Sequence, residues 1–324
     1  MKTNYLKPIL VSAGLLLGTL RLGAQAIVVD DKLTDYKPVS GISGKLSSIG
    51  SDTLNNLMTY WAEEFKKVYP NVSIEIEGKG SSTAPPALIA GTAQLGPMSR
   101  KMKAEEVDAF EKKYGYKPRI IGVAIDALAV YVNKDNPIAS LTLQQVDSIF
   151  SATRKRGGQN ITTWGQLGLT GEWASKPISL YGRNSASGTY GFFKEHVFQN
   201  GDYKGSVKEQ PGSASVVQGV EKELGGAGYS GIGYKTSGVR AVPLSDKAGP
   251  IEATQANAES FKYPIARYLY IYINVNPSSG PDALVKEFIR FVESKQGQSI
   301  TAKDGYFPLP AKKAAEFLES SGCQ

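Results

Sequence analysis

Two runs of apolar residues, Ile120 to Val132 (IIGVAIDALAVYV) and Tyr268 to Val275 (YLYIYINV), constrain this chain more than any other feature. Neither alternates polar with apolar side chains, so each reads as a strand covered on both faces. Asn136-Pro137 ends the first run, and an amphipathic helix with the face Leu284, Phe288 and Phe291 follows the second. They bracket a middle block, roughly residues 133 to 262, which predicts two lobes joined by paired strands. A chain of 324 residues, 41% hydrophobic and 21% charged, has room for about two domains with proper cores.

Ahead of the first run the pattern is strand, helix, strand, helix, the α/β signature. Leu46 to Ile49 reads as a strand. From Thr53 the residues Leu54, Leu57, Met58, Trp61, Phe65 and Val68 recur at helical spacing, and Tyr69-Pro70-Asn71 stops them. Val72, Ile74 and Ile76 alternate as in a half-buried strand, and GKGSS leads into a short helix around Ala87 to Ala90. Residues 27–44, polar and punctuated by Pro38, Gly41 and Gly44, read as a flexible arm. The basic insert Arg154-Lys155-Arg156-Gly157-Gly158 reads as a solvated loop. No internal repeat or low-complexity segment is present.

The first 26 residues read as an export signal. Lys2 and Lys7 precede the apolar run Ile9 to Leu20, and Ala24-Gln25-Ala26 closes it with small residues that place cleavage near Ala26. That run is short of the roughly 20 residues a span needs, although Arg21 makes the pattern imperfect and leaves an uncleaved anchor open. The formal charge of +7 falls to about +4 once Lys2, Lys7 and Arg21 leave, and no basic stripe argues for nucleic acid. The single cysteine, Cys323, excludes a disulfide within the chain and a lipid anchor at the signal's end, which favours a soluble periplasmic protein.

Three Gly/Ser/Thr turns each precede a helix: Gly50-Ser51-Asp52-Thr53, Gly80-Ser81-Ser82-Thr83 and Ser185-Ala186-Ser187-Gly188-Thr189, the last just after Arg183. A helix start leaves backbone N–H groups unpaired and carries positive dipole charge, so it attracts anions. One such turn alone is usually no more than an N-cap. Micromolar binding needs about 8 kcal/mol, against at most ~2 from one helix terminus and about 1.5–3 from each charge-assisted hydrogen bond. Several turns converging with a forked guanidinium on one oxyanion reach that total.

Catalytic readings fare worse. A serine triad would need His196, the only histidine, which lies about 10 Å along a helix from Thr189. No G-x-S-x-G, S-x-x-K or GK[ST] signature occurs. Gly226-Ala227-Gly228-Tyr229-Ser230-Gly231 spells G-x-G-x-x-G, but the strand-like Ile232-Gly233-Tyr234 follows it, so it reads as a turn. One histidine and one terminal cysteine make a transition-metal site improbable, and an oxygen-ligand ion stays open.

These residues resemble the phosphate-binding proteins of bacterial phosphate-specific ABC transporters, over about residues 45–310. RNSASGT resembles the family's R-x-x-x-S-G-T tract, which implies Arg183, Ser187, Gly188 and Thr189 as oxyanion ligands. GKGSS resembles its G-x-G-S-S turn and points to Ser81; GSDTL takes the place of its first turn and assigns Thr53 and the backbone of Leu54. ALAVYVNKDNP, the pair Phe150 and Trp164, and GYFPL resemble framework segments. The implied fold is the two-lobed α/β periplasmic-binding-protein fold (type II), each lobe a mixed sheet flanked by helices, with a two-strand hinge. Residues 45–125 plus 263–324 would form lobe 1 and residues 126–262 lobe 2.

Where the family usually carries an aspartate that accepts the proton of hydrogen phosphate and repels sulfate, this chain has Ser99, counted here as a ligand position. Asp52 is the candidate replacement carboxylate or, equally, a helix cap. Arg100 is a candidate second cation or a solvated residue. Ser185 stands where the family has an aspartate that orients the arginine, which leaves open how Arg183 is held. The expected function is a non-enzymatic, monomeric receptor without cofactor that captures inorganic phosphate and hands it to an ABC permease. A receptor for another oxyanion such as sulfate, a phosphohydrolase and a signalling protein on this scaffold are the alternatives.

Overall fold

The computed structural model describes residues 26–245 and 249–324, so the expected export signal, apart from Ala26, lies outside the described residues. The chain first builds β1 (Gly44–Ile49), α1 (Asn55–Val68) and β2 (Val72–Glu77), with β1 and β2 parallel from Gly44–Val72 to Ile49–Glu77. Helix α1 buries Leu57, Met58, Trp61 and Phe65, each worth roughly 1.5–3 kcal/mol of apolar burial. Then come α2 (Ala84–Ala90), β3 (Gly96–Met98), α3 (Ala104–Tyr114) and β4 (Arg119–Ala127). Proline in its first turn starts α2, and Gly91 at φ 73° ends it.

The first apolar run is two strands rather than one. Leu128 alone separates β4 from β5 (Ala129–Asn133), and the two belong to different sheets. Both strands are buried on both faces, so the run stays apolar through the break and nothing in its composition marks it. The second lobe continues with β6 (Leu141–Thr142), α4 (Leu143–Phe150), β7 (Ser179–Arg183), α5 (Gly188–His196), β8 (Lys208–Gln210) and α6 (Ser213–Lys222). After them come β9 (Gly226–Ser230), β10 (Val239–Ala241), β11 (Leu244–Ser245) and α7 (Gln255–Glu259). Its main sheet has the order β10-β5-β9-β7-β8 and is mixed, with β7 parallel to both β8 and β9.

The Gly226–Gly231 tract, expected to be a turn, is largely the buried central strand β9, and Ile232–Tyr234 is a single 3-10 turn. Its glycines serve packing: a Cβ on Gly228 would stand 2.8 Å from Val220 and 2.9 Å from Val216, on the helix α6 lying against it. The basic insert is no free loop either. Arg156 donates to the carbonyls of Val197 (2.6 Å) and His196 (2.7 Å), and Lys155 to those of Gln199 and Asn200, so the insert caps the C-terminal end of α5.

The chain returns with β12 (Ala266–Ile273), α8 (Ala283–Glu293), α9 (Lys295–Lys303) and α10 (Ala311–Ser321). Strand β12 sits between β3 and β4, antiparallel to both, and a parallel bridge between Ser48 and Leu95 joins this sheet to β1 and β2. The expected face of α8, Leu284, Phe288 and Phe291, is buried. The two crossings run side by side: Ala127 pairs with Ala266 and Asp126 with Arg267, and Leu128 N–H donates to Ile265 O at 3.2 Å.

Residues 27–44, expected to be a flexible arm, are tied down, and Gly44 already opens β1. Val28 exchanges two hydrogen bonds with the Gln255 amide, and Asp30 accepts from Ala311 N–H. Leu33 is buried, and the Tyr36 hydroxyl donates to Glu287 at 2.9 Å. A polar segment can be held by a few anchors that composition does not reveal. Among the described residues no helix is long and apolar enough to cross a membrane.

Candidate functional site

Each of the three turns links the C-terminal end of a strand to the start of a helix, where peptide dipoles favour negative charge. After β1, Gly50 lies so close to Pro97 that a Cβ would stand 2.1 Å from its carbonyl oxygen, and Ser51 Oγ accepts from Thr53 N–H at 3.2 Å. After β2, Gly80 takes φ 114°, and a Cβ there would meet Ala186 O at 2.5 Å, on the third turn. After β7, Ser187 caps α5 by accepting from the N–H groups of Thr189 and Tyr190.

Folding brings their side chains to one buried point. Thr53 Oγ1 is 2.9 Å from Thr189 Oγ1, Ser81 Oγ is 3.3 Å from Ser99 Oγ, and Ser99 Oγ is 3.4 Å from Thr189 Oγ1. Ser51, absent from the sequence-based candidates, donates to Ser99 Oγ at 3.1 Å. Gly188 closes the cluster, since a Cβ on it would lie 2.2 Å from Ser81 Oγ and 2.7 Å from Ser99 Oγ. Thr53, Ser81, Ser99, Ser187 and Thr189 are all buried, as is Leu54, whose N–H closes the first turn onto Ser51 O. The group spans both lobes, as does a backbone bond from Ser82 N–H to Ala186 O.

Arg183, at the end of β7, is 2% exposed. Its Nη1 donates to Ser213 Oγ at 2.7 Å and lies 3.2 Å from Asp52 Oδ2, and its Nη2 donates to Pro211 O. Its Nε has no partner among the described residues. Burial pulls the guanidinium below its ordinary pKa, and Asp52 opposes that pull. Asp52 thus pairs with the arginine from the opposite lobe, and it also accepts from Ser213 N–H at 2.8 Å. It is not the cap of its own helix, because Ser51 fills that position. Ser185 is exposed and takes no part.

Arg100 is not a free cation. Its two terminal nitrogens fork onto Glu106 at 2.7 Å each, and it donates to Lys101 O and Ser82 Oγ. The guanidinium that touches the hydroxyl cluster is Arg267, which sequence reasoning missed. It donates to Thr189 Oγ1 at 3.0 Å and to Ser99 O at 2.7 Å, and pairs with the buried Asp126 at 2.8 Å. A signal for it existed: Asp126 inside the first apolar run and Arg267 just before the second are lone opposite charges in buried strands, and buried charges must be paired. A cleft of about 980 Å³, lined in part by Ser187, Phe192 and Arg267, opens beside the cluster.

His196 lies on the surface of α5, stacked on Phe192 at 3.9 Å, its Nδ1 3.0 Å from Phe192 O. Among the described residues no three His, Cys, Asp or Glu side chains gather as a metal site would require. The arrangement can donate hydrogen bonds from several directions to one dehydrated oxyanion.

Residues 37–296 match the model of the PBP superfamily domain. The phosphate-binding protein PstS of Pseudomonas aeruginosa is 57% identical over 306 residues, covering 93% of this chain and 95% of its own. A solved structure from Clostridium perfringens, described as a phosphate ABC transporter substrate-binding protein with bound phosphate, has a TM-score of 0.70 at 28% identity. It covers 82% of this chain and 100% of that one. An ABC-type phosphate transport receptor from Vibrio cholerae shares the fold with a TM-score of 0.64 at 23% identity, covering 82% of this chain and 100% of that one. With the superfamily match over most of its length and this degree of identity, the chain belongs to the PBP superfamily and, within it, to the PstS family of phosphate-binding proteins.

Proposed function

We propose that this chain is a non-enzymatic periplasmic receptor that captures inorganic phosphate between its two lobes and delivers it to an ABC permease. The observation that carries this reading is the convergence of three helix-start turns from both lobes on one buried hydroxyl cluster, with Arg183 joined to the first of these turns through Asp52. Thr53, Leu54, Ser81, Ser99, Ser187, Gly188 and Thr189 line the anion, and Arg183 supplies the charge. Asp52 holds Arg183, and Arg100 stays outside with Glu106. A handful of charge-assisted hydrogen bonds at about 1.5–3 kcal/mol each reach the roughly 8 kcal/mol of micromolar affinity. Because the donors come from both lobes, the anion stabilises the closed form, and opening at the hinge releases it.

The reading is non-catalytic because, among the described residues, the buried hydroxyls bond to one another and to Arg267 rather than to a histidine, while His196 faces solvent. The names of the Pseudomonas and Clostridium relatives support phosphate as cargo. A second reading of the selectivity rests on Ser99: the family resemblance implies a carboxylate at this place, and the neutral Ser99 hydroxyl, 3.3 Å from Ser81 Oγ, offers sulfate no dedicated repulsion. Calorimetry of the purified mature protein with phosphate and with sulfate tests both. Absence of heat with phosphate ends the first reading, and a large preference for phosphate ends the second.

A further inference from the structure

The pair Asp126–Arg267 is buried on the two strands that join the lobes, directly opposite each other in the β4–β12 register. Its position is unusual in what it touches. Arg267 reaches Ser99 O through Nη1 and Thr189 Oγ1 through Nη2, and its guanidinium lies over the Phe192 ring at 5.2 Å. Asp126 accepts from Arg267 Nε with one oxygen (2.9 Å) and from Ile232 N–H with the other (2.9 Å). The pair thus contacts the Ser99 turn of one lobe and both α5 and the 3-10 turn of the other.

A hydroxyl has one proton. With Arg267 donating to it, Thr189 Oγ1 is held as an acceptor toward the strand, and its own O–H is left to point into the hydroxyl cluster. The Ser99 carbonyl, an acceptor that would repel an anion, is occupied by Nη1. Asp126 fixes the fork that performs both tasks, and the guanidinium partly offsets the charge of an incoming dianion.

We propose that Arg267, held by Asp126, is a positioning residue for anion capture. It turns the Thr189 hydroxyl outward as a donor, masks the Ser99 carbonyl, and links occupancy of the cluster to the closed arrangement of the two hinge strands. The proposal rests on the anion-receptor reading above.

The test is a double-mutant cycle read by calorimetry with inorganic phosphate, on wild type, Arg267→Met, Thr189→Ala and the double variant. Small-angle scattering with and without phosphate reports closure. Arg267→Met is expected to weaken phosphate at least 30-fold. In the Thr189→Ala background the same change should cost no more than about a third of that factor, because its main route of action is gone. Arg267→Lys, which keeps the charge but not the fork, should recover only part of the loss. If Arg267→Met unfolds because Asp126 is left unpaired, Arg267→Met/Asp126→Asn removes both charges and must show the same weakening and the same coupling to Thr189. Binding within threefold of wild type in the folded variant, or losses that multiply independently in the cycle, overturns the proposal. Wild type failing to bind phosphate removes the receptor reading and this inference together.

Discussion

The side-chain oxygens of Thr53 and Thr189 lie 2.9 Å apart although 136 positions separate them. Each belongs to the first turn of a helix in a different lobe, and one of the two hydroxyls donates to the other; in the proposed site an entering anion displaces this bond and accepts from both. Thr53→Val and Thr189→Val keep shape and remove one donor each. Each should lower phosphate affinity roughly 10- to 100-fold, the value of a hydrogen bond to a charged group at about 1.5–3 kcal/mol, with little change in melting temperature. Calorimetry and thermal unfolding on the same samples check this.

Gly188 is required for space. A methyl there would lie 2.2 Å from Ser81 Oγ, on the opposite lobe, while alanine suits the helix start itself. Gly188→Ala is therefore expected to fold normally, lose more than about 100-fold in phosphate affinity, and keep an expanded radius of gyration in excess phosphate. A variant that still contracts on adding phosphate contradicts this.

Asp52→Asn separates two roles for that carboxylate. If Asp52 orients Arg183, affinities for phosphate and sulfate should fall together, by about tenfold, because the guanidinium serves any oxyanion. A carboxylate that accepts the phosphate proton would instead change the phosphate-to-sulfate ratio. Parallel titrations with the two anions decide between them.

Burial raises the Asp304 carboxyl from 3.8 to about 7, with the hydroxyls of Tyr234 and Tyr306 nearby. The folded state holds this proton more tightly than the unfolded chain, so the contribution is complete below about pH 3.8 and is lost as pH rises through about 7. Asp304→Asn should flatten the stability profile across that window and raise stability at pH 8 by several kcal/mol relative to wild type. Denaturant titrations at pH 5 and pH 8 give the comparison.

The legible parts of the sequence were those decided locally. The face of α1 and the Ser-Gly-Thr turn that opens α5 depend on neighbours a few residues away, and both stand in the sequence as they stand in the fold. The break at Leu128 was invisible because apolar residues flank it on both sides and both strands are buried. The β9 glycines passed for a turn because they accommodate Val216 and Val220 of α6, which only packing brings against them. Arg100 looked like a site cation because of its place in the chain, yet Glu106 claims it through a fork that sequence alone does not reveal.

By itself, then, the order of residues settled the family, the alternation of strands and helices, and the three donor-bearing turns, since backbone dihedrals, caps and hydrophobic period act over a few positions. Tertiary structure decided which charges meet. Asp52 reaches Arg183 across the lobes, and the β4–β12 register sets Asp126 against Arg267. A buried charge must find an opposite partner within a few ångströms, and strand register and lobe packing fix those distances between residues far apart along the chain.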